Sequence, residues 1–208
     1  SESNRLLVLK SLYPQIDIRN LSNSDDSQLT QKGLKSQKNI VDIHHAGTAM
    51  RFLTAYFAIQ PGRQIVLTGS ERMQERPIKI LVEALNSLGA EIAYEKEFGF
   101  PPLIIRGKEI KKDQVSLPAN ISSQYISALM LIAPRLKNGL KIDLLGETTS
   151  VPYIKMTQSI MDQLGFETAF EKSQIIIKPT SKIEANNWTV ESDWSSASYF
   201  YSIMSMAD

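Results

Sequence analysis

Gln64-Ile65-Val66-Leu67-Thr68-Gly69, followed by Pro77 and then by Leu88-Gly89-Ala90, returns roughly 76 residues later as Lys141-Ile142-Asp143-Leu144-Leu145-Gly146, Pro152 and Leu164-Gly165-Phe166. A short apolar run, a glycine, a proline opening an amphipathic stretch and a glycine closing it read as a buried strand followed by a helix with a left-handed C-cap. The helices so predicted are Pro77 to Leu88 and Pro152 to Leu164. Upstream of each strand, Thr48 to Ile59 and Ser123 to Ala133 carry helical apolar spacing. Downstream, the strand Glu91-Ile92-Ala93-Tyr94 goes with Leu103-Ile104-Ile105-Arg106, and Glu167-Thr168-Ala169-Phe170 with Gln174-Ile175-Ile176-Ile177. Counting a strand from the end of the preceding copy, each unit reads β-α-β-α-β-β.

A third, more diverged copy opens the chain. Its helix spans Arg5 to Leu12, its strand Ile16 to Leu21, and its second helix starts at Ser24-Asp25-Asp26, an N-cap with acids in the first turn. Asn39 to Ile43 leads into the next unit. The copies cover about 1–43, 44–107 and 115–180 of one α/β domain, and after the strand Trp188-Thr189-Val190 another helix opens at Ser192-Asp193-Trp194-Ser195. The chain begins at Ser1 rather than Met, so a leading segment is expected to be lost, and residues 188–208 are expected to start a crossover into a further domain.

Composition limits what such a domain does. With 23 Lys+Arg against 22 Asp+Glu the net charge is +1, so no general basic field draws in a nucleic-acid backbone, and any anion specificity must be local. Zero cysteines exclude disulfides, thiolate metal sites and cysteine nucleophiles and agree with a reducing compartment; a cytoplasmic location is expected. No stretch approaches the roughly 20 apolar residues of a membrane span.

Local anion chemistry is written at the helix starts. His45-Ala46-Gly47-Thr48-Ala49-Met50-Arg51 sets small residues and a hydroxyl where bare backbone N–H groups face outward, a setting that attracts anions. Gly69-Ser70-Glu71-Arg72-Met73-Gln74-Glu75-Arg76-Pro77-Ile78 brings a second cationic cluster to a strand end. Under the repeat, the equivalent first-helix starts are Ser1 to Ser3, Gly47-Thr48 and Ser122-Ser123, and pseudo-symmetry brings them to one end of the domain, with Arg5, Arg51 and Arg76 close by. A Ser or Thr at a helix start is also a generic cap, and an Arg in a first turn is also an ordinary solvated charge.

Six segments carry a resemblance: Ser1-Glu2-Ser3-Asn4-Arg5, His45 to Arg51, Arg72 to Ile78, Ser122-Ser123-Gln124-Tyr125, Ser150-Val151-Pro152-Tyr153 and Asp193-Trp194-Ser195-Ser196-Ala197-Ser198-Tyr199. In order and spacing, over the whole chain, they resemble the 5-enolpyruvylshikimate-3-phosphate synthase family. The resemblance implies an enolpyruvyl-transferase domain (an α/β prism, or inside-out α/β barrel) of three βαβαββ units with helices inside and sheets outside. It implies transfer of the enolpyruvyl group of phosphoenolpyruvate to the 5-hydroxyl of shikimate-3-phosphate with release of phosphate, needing no metal or organic cofactor, and glyphosate as a competitor for the phosphoenolpyruvate place. Family members are two such domains hinged together, and this chain matches only one. The general acid and base are expected in the other domain, with no catalytic residue here and no turnover by this chain alone.

By the same resemblance, Ser122, Ser123 and Ser150 are expected to hold the shikimate phosphate. Ser1 and Arg5 would take the carboxylate and ring hydroxyls, Gln124 would sit beneath the ring, and Tyr153 would close that side. Arg76 and the backbone N–H at Gly47 would receive phosphoenolpyruvate. His45 stands where the family usually has Asn, and Asp193 is expected at the crossover.

The remaining candidates read as structure. His44 and His45 are expected on opposite faces of an extended segment, which disfavours a shared metal. Trp188, Trp194, Met204 and Met206 are expected in the core, and Lys108, Lys111 and Lys112 in a solvated turn. Two rivals fit less well. A UDP-N-acetylglucosamine enolpyruvyl transferase commonly uses a cysteine, absent here, and the Ser122-Ser123-Gln124 motif also argues against it; for a non-catalytic phosphate-binding or nucleic-acid module on the same fold, the near-neutral net charge and the absence of aromatic-basic interleaving in this chain disfavour nucleic acid.

Overall fold

The computed structural model describes residues 1–147, 150–191 and 194–206. In chain order the strands are β1 (Ile16–Arg19), β2 (Ile40–Asp42), β3 (Gln64–Thr68), β4 (Glu91–Tyr94), β5 (Leu103–Arg106), β6 (Gln114–Pro118), β7 (Leu140–Leu145), β8 (Thr168–Glu171), β9 (Gln174–Ile177) and β10 (Asn186–Thr189). The helices are α1 (Glu2–Leu12), α2 (Asp25–Lys35), α3 (Gly47–Ala58), α4 (Glu71–Gln74), α5 (Lys79–Leu88), α6 (Ser123–Ile132), α7 (Val151–Gln163) and α8 (Trp194–Met206), with a 3-10 turn at Ala133–Arg135.

Two four-stranded sheets share one topology, β2-β3-β5-β4 and β6-β7-β9-β8. In each, the first pair is parallel and the rest antiparallel, with Ile40 against Val66 in one and Gln114 against Lys141 in the other. A parallel pair needs a crossover, and α3 and α6 supply it. Along the strands alternate residues turn inward, as Leu140, Ile142 and Leu144 do on β7, so each sheet covers the interior with one face.

The interior is helical. Buried side chains occupy nine of ten positions on α6, nine of twelve on α3 and eight of eleven on α1, and a helix enclosed on nearly every side needs no polar face. By contrast α5 buries a single stripe, Leu81, Val82, Ala84, Leu85 and Leu88, and ends on Gly89 at φ 110°. α2 starts on its predicted cap, with the Ser24 side chain accepting from Ser27 N.

Three expectations need correction or completion. Pro77 does not open a helix: the four-residue α4 is capped by Ser70, and α5 begins two residues beyond the proline. This leaves the Pro77 carbonyl free to accept from Tyr125 Oη at 2.7 Å and from Arg51 Nη2 at 3.3 Å. The opening copy keeps its first four elements, β10, α1, β1 and α2, but among the described residues its sheet has two strands, parallel from Ile16 against Asn186 to Arg19 against Thr189. Met204 and Met206 do not pack in a core: they are 70% and 76% exposed on α8, beside exposed Tyr199, Phe200, Tyr201 and Ile203. Trp188 does pack partly against the core and donates to Glu2, while Asp193 lies outside the described residues. Lys108 and Lys112 are exposed, the first near Glu91 and the second donating to the Ser87 carbonyl.

Candidate functional site

Arg5 is the fourth residue of α1, and helical side chains lean toward the N-terminus. Its guanidinium therefore returns to the start of its own helix, where Nη1 donates to the hydroxyl and carbonyl of Ser1 at 2.8 and 3.1 Å. Nη2 donates to Ser127 Oγ of α6 at 3.0 Å, and Nε to Thr157 Oγ1 of α7 at 2.6 Å. Ser127 and Thr157 bond each other at 2.9 Å, and Thr157 Oγ1 also donates to the Tyr153 carbonyl at 2.9 Å. One buried arginine thus ties together α1, α6 and α7.

A second cation does the same for α3. Arg51 Nη1 donates to the Gly47 carbonyl at 3.0 Å, and its guanidinium lies 5.9 Å from the ring centre of Tyr125, the third residue of α6. Its Nε is buried without a hydrogen-bond partner. Gln124 Nε2 reaches Thr48 Oγ1 at 3.3 Å, closing the link between the first turns of α6 and α3. Arg76, exposed, lays its guanidinium over Gly47: a Cβ added at that glycine would meet Arg76 Nη1 at 2.4 Å.

These bonds bring four helix N-termini to one end of the domain, and three of them lack side-chain caps. α1 after Ser1, α3 after Ala46 and α7 after Ser150 show no capping hydrogen bond from the N-cap residue, whereas Ser122 accepts from Gln124 N at the start of α6. Uncapped N–H groups at the positive ends of helix dipoles are ready partners for an anion.

Three arginines gather at this end, with Asp26 close enough to act on Arg51. Among the described residues no ion pair engages Arg5, Arg51 or Arg76. Burial pulls the Arg5 guanidinium down to about 10, against a smaller opposite effect of Tyr153. Burial likewise lowers Arg51, with Arg76 nearby adding to the effect and Tyr125 opposing it. Both remain cations at neutral pH. A buried cation without a carboxylate is an unfavourable arrangement that an incoming anion relieves.

The predicted residues fall into two groups joined by α6. Ser1, Arg5 and the Tyr153 backbone form the first, and Tyr153 is 49% exposed. Gly47, Arg76 and Gln124 belong to the second, while Ser122, Ser123 and Ser150 stand at the starts of α6 and α7 with no direct bond to either arginine. Ser127 and Thr157 were not predicted; both are fully buried, and only Ser127 carries a local signal, a hydroxyl inside the apolar run of α6.

The expectation that His44 and His45 face apart is overturned. His44 takes φ 49°, which breaks the alternation of extended backbone, and the two Nδ1 atoms lie 2.7 Å apart with rings edge to face. His45 Nε2 is 3.5 Å from Asp25 Oδ2, and Asp42 Oδ1 accepts from His44 N at 2.7 Å. Among the described residues no group of three His, Asp or Glu side chains gathers where a metal could be held.

Comparison with known proteins sets this geometry in a lineage. The chain is 47% identical over 208 residues to a 3-phosphoshikimate 1-carboxyvinyltransferase of Bacteroides fragilis, covering all of this chain and 50% of that protein. A Haemophilus influenzae protein of the same description is 38% identical over 232 aligned positions, covering 96% of this chain and 54% of its own length. The chain thus spans about half the length of the curated relatives it matches. An EPSP synthase structure from Acinetobacter baumannii superposes with a TM-score of 0.76 at 22% identity, over 96% of this chain and 50% of that one, which shows a shared fold. The family model of EPSP synthase (3-phosphoshikimate 1-carboxyvinyltransferase) matches residues 3–208, and the chain belongs to that family.

Proposed function

We propose that this domain is the shikimate-3-phosphate-binding half of an enolpyruvyl transferase and lends part of the phosphoenolpyruvate site. The observation that carries the proposal is Arg5, buried without a carboxylate where uncapped helix N-termini meet. Ser122, Ser123 and Ser150 supply hydroxyls and N–H groups for the phosphate. The shikimate carboxylate takes the free N–H of Arg5 Nη2 and the Ser1 hydroxyl, with Tyr153 over the ring and Gln124 below it. Phosphoenolpyruvate, doubly charged, takes the Arg76 fork and the first N–H groups of α3, whose glycine start leaves room for close approach.

In the reaction the 5-hydroxyl gives up its proton as its oxygen bonds to C2 of phosphoenolpyruvate, whose carbon–carbon π bond breaks as the methylene carbon gains a proton. The tetrahedral adduct then expels inorganic phosphate and loses a methyl proton to restore the double bond. This chain binds and orients; the groups that move protons belong to the other half of the relatives' length. A cytoplasmic location and small-molecule rather than nucleic-acid partners are part of the same proposal. It draws support from the family.

Calorimetry on this chain tests it. Shikimate-3-phosphate binds more tightly than phosphoenolpyruvate, and no phosphate is released from the mixture. Equal or reversed affinities would refute the assignment of residues, and turnover above a protein-free control would refute the division of labour.

A further inference from the structure

Tyr125 belongs to the Ser122-Ser123-Gln124-Tyr125 segment but, unlike its three neighbours, takes no part in the proposed contacts to substrate. It is the third residue of α6 and is 7% exposed, with the Arg51 guanidinium 5.9 Å over its ring centre. Its hydroxyl reaches 48 positions back along the chain and donates to the Pro77 carbonyl at 2.7 Å.

The residue before Pro77 is Arg76, the exposed cation whose guanidinium lies over Gly47. Proline locks its own φ near −65° and confines the residue before it to extended conformations, so a hold on the Pro77 carbonyl limits how far the Arg76 backbone can turn. Two other attachments flank the pair. Arg76 N donates to the carbonyl of buried Met73 at 3.1 Å, and the N–H of buried Ile78 donates to the Gly99 carbonyl at 2.9 Å. Between them the Pro77 carbonyl ties the segment to the helical interior, to α3 through Arg51 Nη2 at 3.3 Å and to α6 through Tyr125. An arginine fork delivers two parallel hydrogen bonds to an anion only from a backbone that is held in place.

We infer that Tyr125 is a positioning residue: its hydroxyl, acting through the Pro77 carbonyl, fixes the backbone from which Arg76 reaches phosphoenolpyruvate. The inference rests on the reading that Arg76 receives that ligand. It makes α6 a shared element of both binding places, since the helix whose start takes the shikimate phosphate also sets the arginine for the second substrate.

Calorimetry on the full-length protein tests it, with Tyr125→Phe, Arg76→Ala and the two combined. Phenylalanine keeps the ring beside Arg51 and leaves the Pro77 carbonyl its bond from Arg51. Tyr125→Phe lowers phosphoenolpyruvate affinity about two- to tenfold, the equivalent of one neutral hydrogen bond, and leaves shikimate-3-phosphate affinity within about twofold of the parent. Arg76→Ala by itself weakens phosphoenolpyruvate about tenfold or more, and in that background removal of the hydroxyl changes nothing further. Such non-additivity separates positioning of Arg76 from a general loosening of the fold and from an effect through Arg51, either of which weakens binding by the same factor in both backgrounds. Full additivity, or a Tyr125→Phe protein that binds phosphoenolpyruvate as the parent does, overturns the inference and leaves the reading of Arg76 standing. Unchanged phosphoenolpyruvate affinity in Arg76→Ala overturns that reading and the inference with it.

Discussion

Gly69→Ala should damage the domain through the backbone rather than through side-chain packing. A Cβ at this position would lie 2.4 Å from the His44 carbonyl oxygen and 2.9 and 3.0 Å from Met73 Cγ and Cβ. Reaching even a tight contact requires the carbonyl to retreat by about 0.6 Å. That carbonyl accepts from Ser70 N at 2.9 Å, and His44 already holds φ 49°, so the strap has little freedom to yield. Overpacking costs about 1–3 kcal/mol and the weakened hydrogen bond about 0.5–1.5 kcal/mol, an expected loss of about 2–4 kcal/mol. For a chain of this size the melting temperature should fall by about 4–16 °C. Because the strap leads directly into Gly47, amide exchange should also quicken at Ser70 and in the first turn of α3. Gly62→Ala is the comparison: its φ of 80° is strained for alanine, but the Cβ meets nothing within 4 Å, so about 1 kcal/mol is expected. Equal melting temperatures for the two variants, or unchanged exchange in α3, would refute the reasoning.

Gly47→Ala makes the same chemical change with the opposite consequence, since its Cβ meets the tip of an exposed, movable arginine. The melting temperature should stay within about 2 °C of the parent, while phosphoenolpyruvate affinity of the full-length protein, measured by calorimetry, falls about tenfold or more as the Arg76 fork is displaced. Thr157→Val strips the Arg5 Nε of its partner inside the core, and chemical denaturation should report a loss of about 2 kcal/mol together with weaker shikimate-3-phosphate binding. Tyr13, whose phenol donates to the Thr180 carbonyl at 2.6 Å, is pushed up to about 12 chiefly by burial, against the opposing Arg135 charge. The unfolded chain releases this proton near 10 while the folded chain keeps it, so the phenol's stabilising effect is present below pH 10 and is lost as pH rises toward 12. Stability of the parent relative to Tyr13→Phe should narrow across that window by at most about 1.4 kcal/mol per pH unit, and a constant difference in alkaline denaturation would contradict it.

Local patterns carried most of the architecture. The duplicated strand, glycine, proline and glycine spacing made two units legible because strand alternation, helical periodicity and left-handed caps depend on neighbours a few residues apart, as Gly89 at φ 110° and the Ser24 cap illustrate. The serines and arginines at helix starts were legible for the same reason. Tertiary structure decided what those residues do together. Arg5 meets Ser127 and Thr157 from 122 and 152 positions away, a convergence no local period encodes. His44 turned its ring toward His45 because a single left-handed residue outweighs the alternation of an extended strand. Pro77 reads locally as a helix start, yet in the fold its carbonyl serves Tyr125 and Arg51 and the helix begins two residues later. The opening copy shows the division most plainly: its helices and its strand were written locally, but the partner of that strand, β10, comes from the other end of the chain. Sheet pairing is a contact between distant segments, and only the packed molecule chooses among the edges on offer.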